Sequence, residues 1–494
     1  MAVWVMVRLH MMELPFLIVT RFRRATMHHP LGWPWWWTIT MGLARIVGTQ
    51  VGSVGQMRFT GLFLEAVLPL QTLLMRNIQV KRNIHVKVQL DVLLRPERAT
   101  LAELRQALRN KSAGYSDDPM NPSQEYLASM HPPVTGPSAR LPNLPEEVGH
   151  LDKDGTFTLK GEWIEATAVA DDKHRPRSNT VILYFHGGGH AFLSPASHRD
   201  FVCRLARDVG PGTRVFSVDY RMAPEHPFPA AIHDAFAAYL YLTEPGHEAF
   251  ALDSLGNKKR NHHAPVDPRD LVVGGDSAGG NLAAALMLYL TNYVQPATEP
   301  KYVMPHAALL LSMNFAANYL CGEVETAPNP RNALGKERSW EWYHHLAQHP
   351  LVAPAHHADV SGFTSTLIHT GTHDRLVDDS RLLAHRLGLA NPEALTRIEN
   401  YQDMVHVHQL VSVLPSAHVA SKNIARFIER SQYLHHGDYA ASRPRPDKDM
   451  VKDKSADNVE WVTINLLGKE SAGDKGGPMS LLKMIWPPND DKED

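Results

Sequence analysis

From about residue 155 onward, apolar and polar positions follow two rhythms, and the switches between them mark the elements. Val181–Phe185 (VILYF) and Arg214–Asp219 (RVFSVD) are short runs rich in β-branched and aromatic residues, as in strands buried on both faces. Asp270–Val273, Ala307–Leu311, Thr366–Thr370 and Leu395–Ile398 read as further strands, and Thr156–Lys160 with Trp163–Ala168 as a hairpin-like pair. Between them, Ala230–Leu242, Ala278–Leu290, Asp378–Leu389 and Ser416–Glu429 space their apolar residues as helices do. Strands alternating with helices predict an α/β architecture, a mostly parallel central sheet with helices on both faces.

The rest of the chain lacks that rhythm. Residues 243–269 show no periodicity and read as a solvated loop. Residues 314–349, with Trp340, Trp342 and Tyr343, lie between two strands and suit a contribution to a cap. Seven prolines between Pro119 and Pro145 make 112–154 an irregular connector. Beyond 437 nine basic and twelve acidic residues with little periodicity predict a largely disordered tail. At the front, 1–20 is mostly apolar but interrupted by Arg8 and Glu13, and 61–75 contains Glu65 and Pro69. Neither reaches the ~20 uninterrupted apolar residues of a spanning helix. The expected organisation is therefore 1–111 as an apolar, basic leading segment with cap elements, 112–154 as connector, 155–436 as the α/β domain, and 437–494 as tail.

Composition narrows the class. Hydrophobic residues are 44% and charged residues 21%, which suits a chain with a buried core and excludes wholesale disorder, collagen and coiled coil. Two cysteines, Cys203 and Cys321, can build neither a disulfide framework nor a CxxC zinc site. A net charge of −2 gives the whole chain no bias toward nucleic acid. The first hundred residues, however, are +8 and the remainder −10. Basic residues set among apolar runs, with Trp33, Trp35, Trp36 and Trp37 clustered, fit the surface of a membrane such as the endoplasmic reticulum. They fit equally cap helices packed on the core of a cytoplasmic protein. No basic stretch precedes the first apolar run, which disfavours a cleavable signal peptide.

The candidate chemistry begins at Gly275-Asp276-Ser277-Ala278-Gly279, a G-x-S-x-G pattern. A chain this long carries that pattern by chance about one time in six, so its weight comes from context. An apolar strand leads in and a helix leads out, the strand–turn–helix that exposes a nucleophilic serine. His186-Gly187-Gly188-Gly189 directly follows the strand ending at Phe185. Glycines there let backbone amides approach a developing oxyanion, and the amide of Ala278 would join them. A phosphate loop would need a G-x-G-x-x-G or a Walker lysine, and a metal-binding helix face would not place three glycines between His186 and His190; no cofactor and no metal are expected. A serine hydroxyl needs a histidine to take its proton and a carboxylate to orient that histidine. In this architecture they follow in the order serine, acid, histidine. Asp374 lies just past one strand and His406 in the loop after the last, at the same sheet edge as Ser277. Asp378, Asp379, His408 and His418 are rivals, although the two acids look like a helix start and His418 falls within a helical pattern.

Five blocks, HGGGH (186–190), DYRMAPEHPFPAA (219–231), GDSAGGNLAAAL (275–286), GTHDRLVDD (371–379) and MVHVHQ (404–409), resemble the hormone-sensitive lipase family of α/β-hydrolases over about 160–435. The resemblance implies an α/β-hydrolase fold with a helical cap, Ser277 as nucleophile, Asp374 as acid and His406 as base. It also implies an oxyanion hole from Gly188, Gly189 and Ala278, with Gly187 supporting its turn. Among such families, the arylacetamide deacetylase and fungal steryl-acetyl hydrolase branches carry an N-terminal membrane anchor, and the start of this chain is similar in character. Met222 stands where the family usually has Leu, and His408 where it usually has Phe. The implied activity is hydrolysis of carboxylic esters, short-to-medium acyl or acetyl esters of an apolar alcohol, through an acyl-enzyme. The alternative is a catalytically silent small-molecule receptor or membrane-docked scaffold on the same fold. Oligomeric state is not readable from the sequence.

Overall fold

Strands that are apolar on both sides need a helical layer on each. The computed structural model describes residues 77–89, 156–167, 177–223, 230–245, 247–252, 258–260, 264–292, 303–313, 351–356, 359–374, 376–412, 414–435, 458–465 and 468–472. Its strands are β1 (Ile78–Gln89), β2 (Thr156–Ala166), β3 (Val181–Phe185), β4 (Arg214–Asp219), β5 (Glu248–Leu252), β6 (Lys258–Arg260), β7 (Leu271–Asp276), β8 (Ala307–Leu311), β9 (Ser365–Gly371), β10 (Thr396–Tyr401), β11 (Val459–Ile464) and β12 (Glu470–Ala472). The helices are α1 (Pro195–Val209), α2 (Ala230–Thr243), α3 (Ala278–Asn292), α4 (Val377–Ala390) and α5 (Pro415–His435).

All the strands form one sheet in the order β12-β11-β10-β9-β8-β7-β3-β4-β2-β1-β5-β6. Pairing is parallel from β4 through β11 in that order and antiparallel at both ends. Alternation along β3 divides the core. Leu183 and Phe185 pack with Phe236 of α2 and Leu286 of α3, whereas Ile182 and Tyr184 pack with Phe201 of α1 and Phe427 of α5. The chain runs from β3 outward to β4 and later returns to place β7 on the other side of β3. Connections leave in opposite directions at that switch point, which opens a crevice outside the carboxyl ends of β3 and β7.

Four expectations are corrected. The hairpin-like pair at 156–168 is one continuous strand, β2. Gly161 and Glu162 look like a break, but a Cβ on Gly161 would lie 2.7 Å from Ser217 O, and Glu162 is buried against Arg199 of α1 at 2.7 Å. Within the leading segment, Ile78–Gln89 joins the sheet beside β2 rather than the cap. The supposed loop 243–269 contributes β5 and β6, which pair at the sheet edge where one face is enough to bury. The tail contributes β11 and β12, with Val459 and Ile464 buried. Its charges misled because Glu460 is an inside residue, bound to Arg430 at 2.5 and 2.7 Å and to Arg397 at 3.4 Å.

The stretches 1–20 and 61–75, the connector 112–154 and the cap segment 314–349 lie outside the described residues, and with them the expected membrane contact. Among the described residues no helix is long and apolar enough to cross a membrane.

Removing one partner of a buried ion pair leaves the other charge stranded. Glu460→Ala, which strands Arg430 and takes one of three carboxylates from Arg397, should therefore cost about 3 kcal/mol, read as a lower urea midpoint. An unchanged midpoint would show that the tail strands contribute nothing to stability.

Candidate active site

The nucleophile position is built by a collision of constraints at the end of β7. Ser277 follows Asp276 at the strand's end, and α3 starts at the very next residue. The backbone turns so sharply that Ser277 has φ +50°, a left-handed value that L-residues seldom adopt. Its amide donates to Leu311 O of β8 at 2.8 Å, and its carbonyl accepts from Asn281 of α3 at 3.0 Å. The first turn of α3 lies so close to β3 that a Cβ on Gly279 would fall 2.0 Å from Phe185 O. Only glycine fits there, which explains the small residues around the serine.

Two loops bring the partners. After β9, Asp374 is buried in a turn closed by its own amide to Gly371 O at 3.0 Å, and its Oδ1 accepts from Leu376 N–H at 3.0 Å. After β10, the chain reaches His406. The two loops are tied directly: His373 N–H donates to Met404 O at 2.9 Å and Asp403 N–H to Thr372 Oγ1 at 2.8 Å. His406 Nδ1 lies 2.9 Å from Asp374 Oδ2, and its Nε2 lies 2.9 Å from Ser277 Oγ. Asp374 is almost fully enclosed while the His406 ring is 38% exposed, so the imidazole is both anchored and reachable. The structure thus brings Ser277, His406 and Asp374 into one hydrogen-bonded chain.

The rivals sit elsewhere. Asp378 and Asp379 occupy the first turn of α4, where acids favour the helix dipole. His418 is in α5, its Nε2 2.7 Å from Ser412 O. His408 is fully buried in a short 3₁₀ turn with its ring 4.6 Å from Tyr401, and among the described residues neither ring nitrogen has a hydrogen-bond partner. Burial, reinforced by His369 and Arg204, holds its pKa well below the ordinary histidine range. His408 is a neutral core residue.

Across the crevice, the glycine loop leaves β3. Gly188 has φ +117°, and a Cβ there would lie 2.0 Å from Phe192 O. Gly189 also has positive φ, at +59°. Among the described residues the amides of Gly188, Gly189 and Ala278 donate to no protein acceptor. Gly187 stands apart from the other two glycines of the loop. Its amide donates to Asp276 Oδ1 at 3.1 Å, so it braces the loop from behind. Asp276 also accepts from Tyr184 Oη at 2.6 Å and lies 3.1 Å from His198 Nε2. Burial opposes its ionisation, but the charge and hydrogen bond of His198, with the Tyr184 hydroxyl, hold its pKa below the ordinary range. His198 belongs to α1, which the apolar pattern does not reveal; only Ser194 and Pro195, a capping serine and a first-turn proline, announce that helix. Among the described residues no group of three or more His, Cys, Asp or Glu side chains is placed to hold a metal ion.

A serine on a strand–helix elbow, facing a glycine loop at the switch point of a parallel sheet, defines the α/β-hydrolase class. The model of the α/β-hydrolase fold matches residues 182–410. An acetyl-hydrolase of Streptomyces hygroscopicus is 33% identical over 258 residues, 50% of this chain and 75% of that protein. A carboxylesterase of Mycobacterium tuberculosis is 32% identical over 246 residues, 48% and 69% of the two chains. Mouse hormone-sensitive lipase is 28% identical over 180 residues, 35% of this chain and 22% of its own. The chain belongs to the hormone-sensitive lipase family of α/β-hydrolases.

Replacement of the two neighbouring histidines should separate chemistry from packing. His406→Gln should lower kcat/KM for a short p-nitrophenyl ester by about 10⁴-fold or more, whereas His408→Phe should leave it within about threefold. The reverse ranking would move the base to 408.

Burial lowers the pKa of His186 and His190 to about 3, and burial with Arg221 does the same to His233. These rings stay neutral in the folded protein, while the unfolded chain takes up protons near pH 6.5. Their contribution to stability is complete above pH 6.5 and drains as pH falls toward 3, by up to about 1.4 kcal/mol per pH unit for each ring. Urea unfolding at pH 7.5 and 5.5 should show the loss, and a midpoint constant across that interval would contradict it.

Proposed function

We propose that this protein is a serine-dependent carboxylic ester hydrolase. The observation that carries the reading is the unbroken Asp374–His406–Ser277 chain, with both contacts at 2.9 Å, beside a glycine loop whose Gly188 and Gly189 amides have no acceptor among the described residues. Ser277 Oγ attacks the ester carbonyl while His406 Nε2 takes its proton. Asp374 keeps the proton on Nδ1 and stabilises the imidazolium that forms. The carbonyl oxygen gains negative charge, which the amides of Gly188, Gly189 and Ala278 meet; such donors are worth about 10²–10³ in turnover each. Collapse of this intermediate breaks the bond to the alcohol, which leaves with the proton from His406. Water then gives its proton to His406 and attacks the acyl-serine, releasing the acid and restoring the hydroxyl. The substrate class we assign is short-to-medium acyl, including acetyl, esters of an apolar alcohol; two of the relatives named above are an acetyl-hydrolase and a carboxylesterase.

Ser277→Ala should lower hydrolysis of a short p-nitrophenyl ester by roughly 10⁴–10⁶-fold with the melting temperature within about 2 °C of the parent. The parent should be labelled by a fluorophosphonate, and the variant should not. Undiminished turnover in the variant would remove Ser277 from the nucleophile's role, and a parent that neither hydrolyses the ester nor takes the label would replace the enzyme with a binding protein on the same fold.

A further inference from the structure

Two residues at the end of β8 touch both halves of the site. Leu311 O takes the Ser277 amide at 2.8 Å, as described. Ser312, the next residue, is 1% exposed and has φ +47°. Its amide donates to His369 O of β9 at 2.8 Å, which ties the turn to the strand that delivers Asp374. Its hydroxyl oxygen accepts the amide of Val407 at 3.0 Å. Val407 is the residue directly after His406, and it too is left-handed, at φ +49°. A β-branched residue strongly resists that conformation and keeps it only where the surroundings hold it. On its other side the Val407 carbonyl accepts from Leu410 N–H at 3.1 Å, closing the 3₁₀ turn that buries His408.

We propose that Ser312 is a positioning residue for the base: its hydroxyl clamps the strained backbone at Val407 and so sets the imidazole of His406 against Ser277. The proposal rests on the reading of His406 as base. Without the clamp, only the Leu410 contact is left to hold Val407 in its left-handed backbone. Relaxation there rotates the chain directly beside the residue that carries the imidazole, and a misplacement near 1 Å is enough to cost about 10²-fold in rate. Leu311 and Ser312 are adjacent, so one short segment holds the nucleophile turn with its carbonyl and the base turn with its side chain. A displacement of either half is then shared by the other.

The clamp has a signature that a general packing role lacks. Ser312→Ala should lower kcat for a short p-nitrophenyl ester, and the rate constant of inactivation by a fluorophosphonate, by about 10–100-fold, with KM within about twofold. Glycine at 407 makes the left-handed backbone easy without any clamp. The double variant Ser312→Ala, Val407→Gly should therefore turn over at least about fivefold faster than Ser312→Ala alone. Ser312→Gly, relaxed at its own positive φ, gives the same reading if the alanine variant does not fold. Unchanged kcat on losing the hydroxyl, or a double variant no faster than the single one, overturns the clamp. If Ser277→Ala keeps its activity, the catalytic reading fails instead, so the two failures are told apart.

Discussion

The site depends on one strained residue. Ser277 must leave β7 and enter α3 within a single step, and the left-handed backbone that this requires costs on the order of 1–3 kcal/mol. That conformation survives because its surroundings leave no other: the amide is taken by Leu311 O, the carbonyl by Asn281, and the helix is pressed against β3 at Gly279. The same turn lifts the hydroxyl out of the sheet and aims the first amide of α3 across the crevice. The strain at Ser277 and the placing of its hydroxyl within reach of His406 are two consequences of one turn.

Rigidity around that turn comes from polar groups buried in the sheet layer. Asp276 gathers Tyr184, Gly187 and His198, which belong to β3, the glycine loop and α1. Glu399 of β10 does the same beneath the base loop: it accepts from Arg397 at 2.7 Å, Tyr401 at 2.7 Å and Asn423 at 3.0 Å. Burial opposes its ionisation, but Arg397 and then His369 more than compensate, so its carboxyl stays far below the ordinary range. A carboxylate with every oxygen engaged is costly to disturb, which suits a scaffold that must hold reacting atoms in place.

These buried charges also explain which parts of the fold were legible in the sequence. β3, β4 and β8 occupy the residues that their apolar runs delimit, because nothing polar interrupts them. β7 extends through Gly274, Gly275 and Asp276, and β10 through Glu399, Asn400 and Tyr401, beyond where the apolar signal stops. Glu162 and Glu460 disguised β2 and β11 as a break and a tail. In one dimension a buried ion pair looks like surface, since its partner lies far away in the chain. The same reasoning separates the site residues. Ser277, Asp374 and His406 follow from motif and order, because chemistry restricts where they can stand. Asp276 stood in view within the motif, yet its role waits on His198. Ser312 carried no signal, since its hydroxyl matters only through an amide ninety-five positions on.

Two aspartates compete, in principle, for the part of the acid, and one of them adjoins the nucleophile in sequence. Geometry divides the labour. The Asp276 oxygens are occupied by donors from β3, the glycine loop and α1. Asp374 keeps Oδ2 for His406 and spends Oδ1 on the amide of Leu376, which fixes the carboxylate plane. Neither could exchange roles by a rotation, because each is held by backbone amides of its own loop or its neighbour. In the proposed mechanism the two have separate parts: one carboxylate orients the imidazole, and the other holds the glycine loop where its amides meet an oxyanion. The second is what makes Gly187 an anchor and leaves Gly188 and Gly189 available.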